Sequence, residues 1–419
     1  MLKKIPVNKL RMGMHLHKLD GAWMQHSFWK TKFVIDSSAD LKRLMDCGVA
    51  ECWIDVARGL DVAAVVEPGS AEKQPVAALP AAAAPAAPLG APAGDGQRDR
   101  PMAAELKQAA AICNRGRAAV TAMFNEARMG RTVDAETCLP LVQEISDSVH
   151  RNAGALVSLA RLKSRDDYSY MHSVAVCAMM VSLARQSGMA EDACREAGLA
   201  GLMHDIGKAL IPLEVLNKPG KLSDEEFALV RLHPEQGHGL LIGGQGVLES
   251  TLDVVLHHHE KVDGSGYPHR LPGDRISQLA RMGAICDVYD AITSNRPYKA
   301  GWDPAESIAR MASWKGHFDP PLFAAFVQSL GIYPTGSAVR LASGKLAVVV
   351  EQNPGNLVSP VVMVFYSTKS ELPITPTRLD LSRPGSHDRI TGREEGAAAK
   401  FPNLNSLWAD PEVLRSMKP

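Results

Sequence analysis

The middle of the chain, residues 101–330, has a helical pattern because its apolar residues recur at intervals of three or four. The clearest two sets are Leu199, Leu202, Met203 and Ile206, and then Leu279, Met282, Ile285 and Val288. Asp134 has the residue type of a helix N-cap, although Pro140 interrupts the segment that follows it. We therefore predict an all-helical region over residues 101–330, with its core in residues 150–330.

The first 66 residues have a different pattern. Residues 33–35 and 52–56 are short apolar runs with the composition of strands. Between them, Ser37 or Ser38 can cap a helix that ends before Gly48. Residues 1–66 are therefore predicted to form a small αβ module.

Two regions flank the helical part. Residues 67–100 are rich in Ala and Pro, a composition typical of an extended linker without a core of its own. Residues 331–385 contain β-branched apolar runs separated by turn signals, which predict a short β-meander. Residues 386–419 are predicted to be a polar, loosely ordered tail. The fold class predicted from all regions is mainly α.

Composition narrows the class of protein. The 419 residues are 46% hydrophobic and 22% charged with a net charge of +0, so no broad surface for a nucleic acid polymer or a membrane is expected. The seven cysteines include no CxxC pair, which favours a reduced protein. No signal peptide and no long apolar span is found. We predict a cytoplasmic protein.

Histidines and aspartates lie beside apolar residues at several points of the helical region. The pair His204–Asp205 interrupts an apolar stretch, where charged groups are costly unless they are paired or bound to metal. Alone, this pair is equally compatible with a capping aspartate and a core histidine. Similar residues occur in four more segments, namely His172, His233, His258, His259 and Asp287. Imidazole and carboxylate donors together favour Fe, Mn, Zn, Ni or Co.

Four segments in this order resemble a known family. The strings "HDIGK", "HPE", "HHEKVDGSGYP" and "DVYDAITSNRPYK" are similar to those of the HD-GYP cyclic dinucleotide phosphodiesterases, a branch of the HD-domain metal phosphohydrolases. The resemblance covers residues 150–330 and implies an HD-type all-helical catalytic domain. Residues 1–66 resemble the small domain of unknown function that often precedes it.

The resemblance implies a set of metal ligands. They are His172, His204, Asp205, His233, His258, His259 and Asp287. Asp205 would bridge two divalent ions, with Fe or Mn expected first and Ni, Co or Zn as alternatives. Some family members bind a third ion through a glutamate whose position here is Tyr168. Two ions per chain are therefore expected, and His257 is expected to be an extra histidine outside the ligand set.

The resemblance also implies the reaction and the residues that assist it. A hydroxide bridging the two metals would attack phosphorus and cleave cyclic di-GMP to pGpG, with further cleavage to GMP as an open extension. Lys208 would contact a phosphate oxygen or assist proton transfer. Arg296 and Lys299 would bind the phosphates. The loop residues Gly266, Tyr267 and Pro268 would shape the substrate pocket.

Other functions are compatible with the same residues. The chain could be a receptor that binds cyclic di-GMP with weak or no turnover, or a phosphodiesterase for another cyclic dinucleotide such as cyclic GMP-AMP. The N-terminal module is expected to regulate the enzyme, through a homodimer or a signalling-protein partner.

Overall fold

The computed structural model separates into two compact units, Met1–Gln97 and Arg98–Pro419. The structure describes residues 2–19, 33–35, 41, 44–45, 51–60, 102–162, 168–218, 220–294, 301–353 and 355–417. The predicted linker and most of the predicted N-terminal helix therefore lie outside the described residues.

The N-terminal unit contains a four-stranded antiparallel sheet. Its strands are β1 (Leu2–Pro6), β2 (His15–Leu19), β3 (Phe33–Val34) and β4 (Glu51–Asp55), in the order β1-β4-β2-β3. Cys52 and Ile54 alternate with more exposed neighbours along β4, so one face of the sheet is buried. Met14, Leu16 and Ile35 complete the core of this small αβ unit.

The larger unit is built from helices. They are α1 (Met102–Arg128), α2 (Leu139–Ala160), α3 (Tyr168–Gln186), α4 (Glu191–Met203), α5 (Leu213–Leu216), α6 (Asp224–Val230), α7 (His233–Leu241), α8 (Glu249–His257), α9 (Gln278–Thr293), α10 (Pro304–Ser313) and α11 (Pro320–Leu330). The predicted mainly α fold is confirmed.

Helix α3 is the centre of this unit. Residues 171–184 are buried on every side, and α1, α2, α4, α9 and α11 all pack against α3. A helix that is apolar all round is typical of such a central position. Within the described part of the chain, no helix is long and apolar enough to cross a membrane.

The start of α2 differs from the prediction. The side chain of Asp134 accepts a hydrogen bond from the Glu136 N–H and caps a short 3-10 helix, Ala135–Cys138. Helix α2 begins after it, at Leu139, with Pro140 in its first turn. Proline fits there because the first N–H groups of a helix have no partner within the helix. Pro140 therefore belongs to a helix start and does not disrupt one.

A buried ion pair joins α1 to α2. The carboxylate of Glu105 is fully buried and accepts from Arg151 Nη2 at 2.8 Å, from Arg151 Nε at 2.9 Å and from Ser148 Oγ at 2.9 Å. This bidentate ion pair compensates the charges of both buried groups.

The C-terminal part is a five-stranded antiparallel sheet followed by short helices. Its strands are β5 (Ala338–Leu341), β6 (Lys345–Glu351), β7 (Val361–Ser367), β8 (Leu372–Asp380) and β9 (Ile390–Arg393), in the order β8-β7-β6-β5-β9. Four of these strands form the meander predicted over residues 331–385. The fifth strand, β9, lies in the predicted tail.

The prediction of a loosely ordered tail is wrong for residues 390–417. Strand β9 pairs with β5, and two short helices follow, α12 (Ala397–Lys400) and α13 (Pro411–Ser416). Asn114 on α1 donates to the Ser416 carbonyl at 3.1 Å. Several apolar residues of the segment are buried, among them Leu404, Trp408, Val413 and Met417. These isolated apolar residues anchor a segment whose average composition is polar.

Candidate metal centre

Five segments of the helical unit bring the predicted metal ligands together. His172 lies on α3, His204 and Asp205 follow α4, His233 begins α7, His258 and His259 follow α8, and Asp287 lies on α9. All except His259 are buried, and the side chain of His259 is 21% exposed. Residues separated by more than 100 positions thus converge at one point.

The local structure at His204 and Asp205 differs from the prediction, which placed both inside a helix. Helix α4 ends at Met203, and Asp205 has φ −102° and ψ 8° before a 3-10 helix, Ile206–Leu210. A Cβ on Gly207 would lie 1.9 Å from the His233 carbonyl oxygen, so the chain turns here directly against the start of α7. The end of α4 therefore brings Asp205 next to His233.

Replacing Gly207 by Ala should damage this junction. The added methyl group overlaps the His233 backbone, and overpacking of this kind costs roughly 1–3 kcal/mol. We expect weaker metal retention as well, because His233 must move. Gly239→Ala on α7 is the matched control: its Cβ meets nothing within 4 Å, and Ala should stabilise the helix by up to about 1 kcal/mol. Urea unfolding and metal content check both variants, and equal behaviour of the two would contradict the prediction.

The donor atoms form two groups. The first group is His172, His204 and Asp287, and the second is Asp205, His233, His258 and His259. In the first group, His172 Nε2 lies 3.0 Å from Asp287 Oδ1 and 3.2 Å from His204 Nε2. In the second, His233 Nε2 lies 3.2 Å from His258 Nε2. Each group has the donor types and spacing to hold a cation.

Asp205 lies between the groups. Its Oδ2 is 3.4 Å from both His172 Nε2 and His204 Nε2. Its Oδ1 is 3.2 Å from His233 Nε2 and 3.8 Å from His258 Nε2. Although buried, Oδ1 accepts no hydrogen bond among the described residues. A buried carboxylate oxygen without a donor is costly, so this atom is suited to a cation.

The protonation of three histidines follows from their backbone contacts. Each Nδ1 must donate, because its partner is a carbonyl oxygen that can only accept. The contacts are His204 to Gly201 at 2.8 Å, His233 to Val230 at 2.7 Å and His258 to Val255 at 3.0 Å. In the neutral rings, each Nε2 therefore carries a lone pair.

These lone pairs point at one another. His233 Nε2 and His258 Nε2 are 3.2 Å apart, and two acceptors at this distance repel unless something positive lies between them. A divalent cation satisfies both, and it also satisfies Asp205 Oδ1. The residues present thus fit the metal ions that the resemblance implies.

Burial and mutual contact shift the pKa values of the centre. Burial, together with neighbouring histidines, holds the pKa of His258 well below its ordinary value and lowers that of His259 to about 3. Burial also acts to lower the pKa of His172, but hydrogen bonds to Asp287 and Asp290 raise it overall. Burial acts to raise the pKa of Asp205, yet the Lys208 ammonium and His204 keep it well below its usual range. Asp205 is therefore anionic.

We expect the metal-free chain to lose stability as the pH falls from about 6.5 to about 4.5. Folded His258 and His259 resist protonation, whereas the unfolded chain accepts those protons, so each adds a slope of at most about 1.4 kcal/mol per pH unit. His172 acts in the opposite direction near pH 6.5, because its raised pKa keeps it protonated in the folded chain, and it adds little below about pH 5.5, where both states are protonated. Urea unfolding in chelator at several pH values measures this. Burial also lowers the pKa of His317 to about 4, so this residue adds to the slope. His259→Gln should therefore remove about a third of the slope, and an unchanged slope would contradict the assignment.

Lys208 lies beside Asp205. Its Nζ is 2.5 Å from Asp205 Oδ2, and its side chain is 22% exposed. The ammonium thus contacts the carboxylate, and part of the Lys208 side chain is open to solvent.

The loop after α8 is held by backbone contacts. Gly264 has φ +77°, and a Cβ on Gly266 would lie 2.4 Å from the Lys261 nitrogen, so this turn requires glycine at both positions. The Tyr267–Pro268 peptide is cis. Glu260 is buried and accepts from the N–H groups of His269 at 2.7 Å and Leu271 at 3.0 Å.

Tyr267 joins this loop to the centre. Its ring stacks on His259 with 4.7 Å between centroids, and the Arg231 guanidinium lies over the same ring at 4.5 Å. Burial raises the pKa of the Tyr267 hydroxyl, so this group stays neutral. Both contacts hold the Tyr267 ring against His259, which is a predicted metal ligand.

Four further residues were named in the sequence analysis, and His257 among them was predicted to lie outside the ligand set. His257 belongs to neither donor group: its Nδ1 is 2.7 Å from Asp253 Oδ1, and its Nε2 is 3.0 Å from His269 Nδ1. Arg296 and Lys299 lie outside the described residues, as does the side chain of Tyr168.

Two buried carboxylates were missed by the sequence analysis. Asp290 Oδ2 lies 2.6 Å from His172 Nδ1, and Glu260 holds the loop. Asp290 is three residues after Asp287, a spacing that places both on one face of α9. That spacing was the available signal.

Comparison with known proteins agrees with the motifs. A family model described as a domain of unknown function matches residues 2–138, and one described as an HD domain matches residues 153–322. The first match thus extends past the small module into α1 and the 3-10 helix before α2.

Curated relatives cover the chain to different extents. A cyclic di-GMP phosphodiesterase from Pseudomonas aeruginosa is 51% identical over 97% of this chain and 96% of its own length. The cyclic di-GMP phosphodiesterase response regulator RpfG from Xanthomonas campestris is 39% identical over 37% of this chain and 44% of its own length. A 3′3′-cGAMP-specific phosphodiesterase from Vibrio cholerae is 36% identical over 40% of this chain and 32% of its own length. The chain therefore belongs to the HD-GYP family of HD-domain cyclic di-GMP phosphodiesterases.

Proposed function

We propose that this chain hydrolyses cyclic di-GMP to linear pGpG at the centre around Asp205, and that a second cleavage there yields GMP. The observation that carries the proposal is the division of the Asp205 oxygens between two groups of donors. Such an arrangement suits a pair of cations acting on one phosphodiester. The 51% identity to a cyclic di-GMP phosphodiesterase along nearly the whole chain supports this substrate.

Two divalent ions, Fe or Mn, would be held here. One would bind His172, His204 and Asp287, the other His233, His258 and His259, with Asp205 shared between them. When bound, such ions polarise the phosphoryl oxygens and acidify water. Imidazole and carboxylate donors also suit Ni, Co and Zn, so this donor set alone does not select one ion.

The remaining chemistry falls to the chain's own groups. Lys208 Nζ holds a proton 2.5 Å from Asp205 Oδ2, where the ammonium can contact a phosphoryl oxygen or donate to the leaving 3′ oxygen. The Tyr267 ring stacks on His259 and covers one face of that imidazole. Arg296 and Lys299 would bind the substrate phosphates, and Gly266 and Pro268 would shape the pocket wall.

The proposal is tested by metal analysis and turnover of one preparation. The full chain is purified without air, its Fe and Mn content is measured, and it is incubated with cyclic di-GMP while products are separated by chromatography. We expect about two ions per chain, as the two donor groups imply, and formation of pGpG. A metal-replete chain that yields no product, while an active relative works in the same assay, contradicts the proposal.

Two alternative functions, a phosphodiesterase for another cyclic dinucleotide and a receptor without turnover, predict different results in this assay. The cGAMP-specific relatives motivate comparison of kcat/KM for cyclic di-GMP and cyclic GMP-AMP, and a higher value for the latter would change the substrate. Tight binding without turnover would instead indicate a receptor.

The N-terminal unit is proposed to be a regulatory module over residues 1–66, joined by a linker over residues 67–100. It would act through a homodimer or a signalling-protein partner. Light scattering of the full chain, with and without cyclic di-GMP, tests the homodimer.

A further inference from the structure

The histidines of the two donor groups are oriented in different ways. His204, His233 and His258 each donate from Nδ1 to a backbone carbonyl. His172 faces a carboxylate instead, with its Nδ1 2.6 Å from Asp290 Oδ2. His259 Nδ1 is 3.7 Å from Asp287 Oδ2. The described contacts thus give one histidine a charged partner that belongs to neither group.

Asp290 is held firmly where it meets His172. It is 2% exposed and lies on α9, while His172 lies on the fully packed α3. Its Oδ1 accepts from Ser294 Oγ at 3.3 Å, which leaves Oδ2 directed at the imidazole. Both partners sit on helices that pack against each other, so the contact is built into the core.

A carboxylate affects a histidine ligand more than a carbonyl does. It fixes the ring and its tautomer, and its charge increases the electron density that Nε2 offers to a cation. This effect reaches only the first group, where His172 Nε2 lies 3.0 Å from Asp287 Oδ1.

We propose that Asp290 is a positioning residue that makes the two metal subsites unequal, so that the subsite of His172, His204 and Asp287 retains its ion more tightly than the subsite of His233, His258 and His259. This inference rests on the proposed two-ion centre. It assigns to Asp290 a role in metal retention that acts through His172 and not through contact with substrate.

The test is metal retention by Asp290→Asn and Asp290→Ala, measured on the full chain. Mn²⁺-loaded protein is dialysed against increasing concentrations of chelator, and bound Mn²⁺ is counted by elemental analysis. For the native chain we expect loss in two steps. In Asp290→Asn, which keeps an acceptor oxygen but no charge, the tighter ion should be lost at about 10-fold to 100-fold lower chelator strength. Asp290→Ala should lose it at least as easily.

Glu105→Gln is the matched control, because Glu105 is an equally buried carboxylate in an ion pair between α1 and α2. It should lower stability and leave the two steps of metal loss unchanged. Release of both native ions in a single step, binding of only one ion, or native retention in Asp290→Ala would each overturn the inference. A native chain that binds two ions unequally but does not cleave cyclic di-GMP would contradict the proposed function alone.

Discussion

Asp205→Asn should lower kcat for cyclic di-GMP by roughly 10³-fold and leave less than one tightly bound ion per chain. The reason is that the two oxygens of Asp205 face different donor groups, Oδ2 toward His172 and His204 and Oδ1 toward His233. An amide keeps the size of the side chain but replaces one oxygen by an NH₂ group, which cannot bind a cation. Each histidine serves one group, so its loss should spare the other ion, whereas the loss of Asp205 affects both.

Asp192→Asn is the matched control for this substitution. Asp192 is in the first turn of α4, the helix that ends just before His204, and its side chain is 85% exposed. The same chemical change there should leave turnover and metal content as in the native chain. Elemental analysis and initial rates, measured on the same preparations, decide. Retention of both ions by Asp205→Asn would show that Asp205 does not connect the two groups.

The charge of Asp205 also explains why Lys208 lies beside it. The ammonium, 2.5 Å from Oδ2, partly neutralises a buried anion that has histidines on its other sides. Bound cations would take over much of this compensation, which leaves Lys208 available to a phosphate. In the proposed function, the same side chain would stabilise the folded centre and also serve the reaction.

Much of the helical fold was predictable from local patterns. Helix α3 is apolar on every side and occupies the centre of the unit, and the intervals of three and four residues predicted α4 and α9. The end of α4 was not predictable in this way. The apolar spacing continues through Ile206, but the contact of Gly207 with the His233 backbone requires the chain to turn there. That contact joins residues 26 positions apart by number, and periodicity does not detect it.

The residues of the candidate metal centre were predictable only in part from the sequence. The histidines and aspartates stood out because they interrupt apolar stretches, and the family resemblance implied the ligand set with Asp205 as the bridge. The division into two donor groups came from the structure. Asp290 did not stand out, although "DVYDA" contains both it and Asp287, because its role depends on the position of His172 more than 100 residues earlier. Local sequence thus indicates which residues are costly to bury, and only the fold shows which of them compensate one another.

The three adjacent histidines offer a test of the centre at single-residue precision. We expect His258→Ala to lower kcat by roughly 10²-fold to 10³-fold and to remove the ion of the second group. His258 is buried, and its Nε2 lies 3.2 Å from His233 Nε2 and 3.8 Å from Asp205 Oδ1.

His257→Ala should keep both ions and change kcat by less than about threefold. His257 bonds Asp253 and His269 outside the donor groups, so its loss should cost stability of about 1 kcal/mol. Metal content, initial rates and urea unfolding separate these effects. His258→Ala should lose an ion and turnover while it still unfolds cooperatively, whereas His257→Ala should lose only stability. If His257→Ala loses an ion and His258→Ala does not, the order of the ligands is displaced by one residue and the two donor groups must be reassigned.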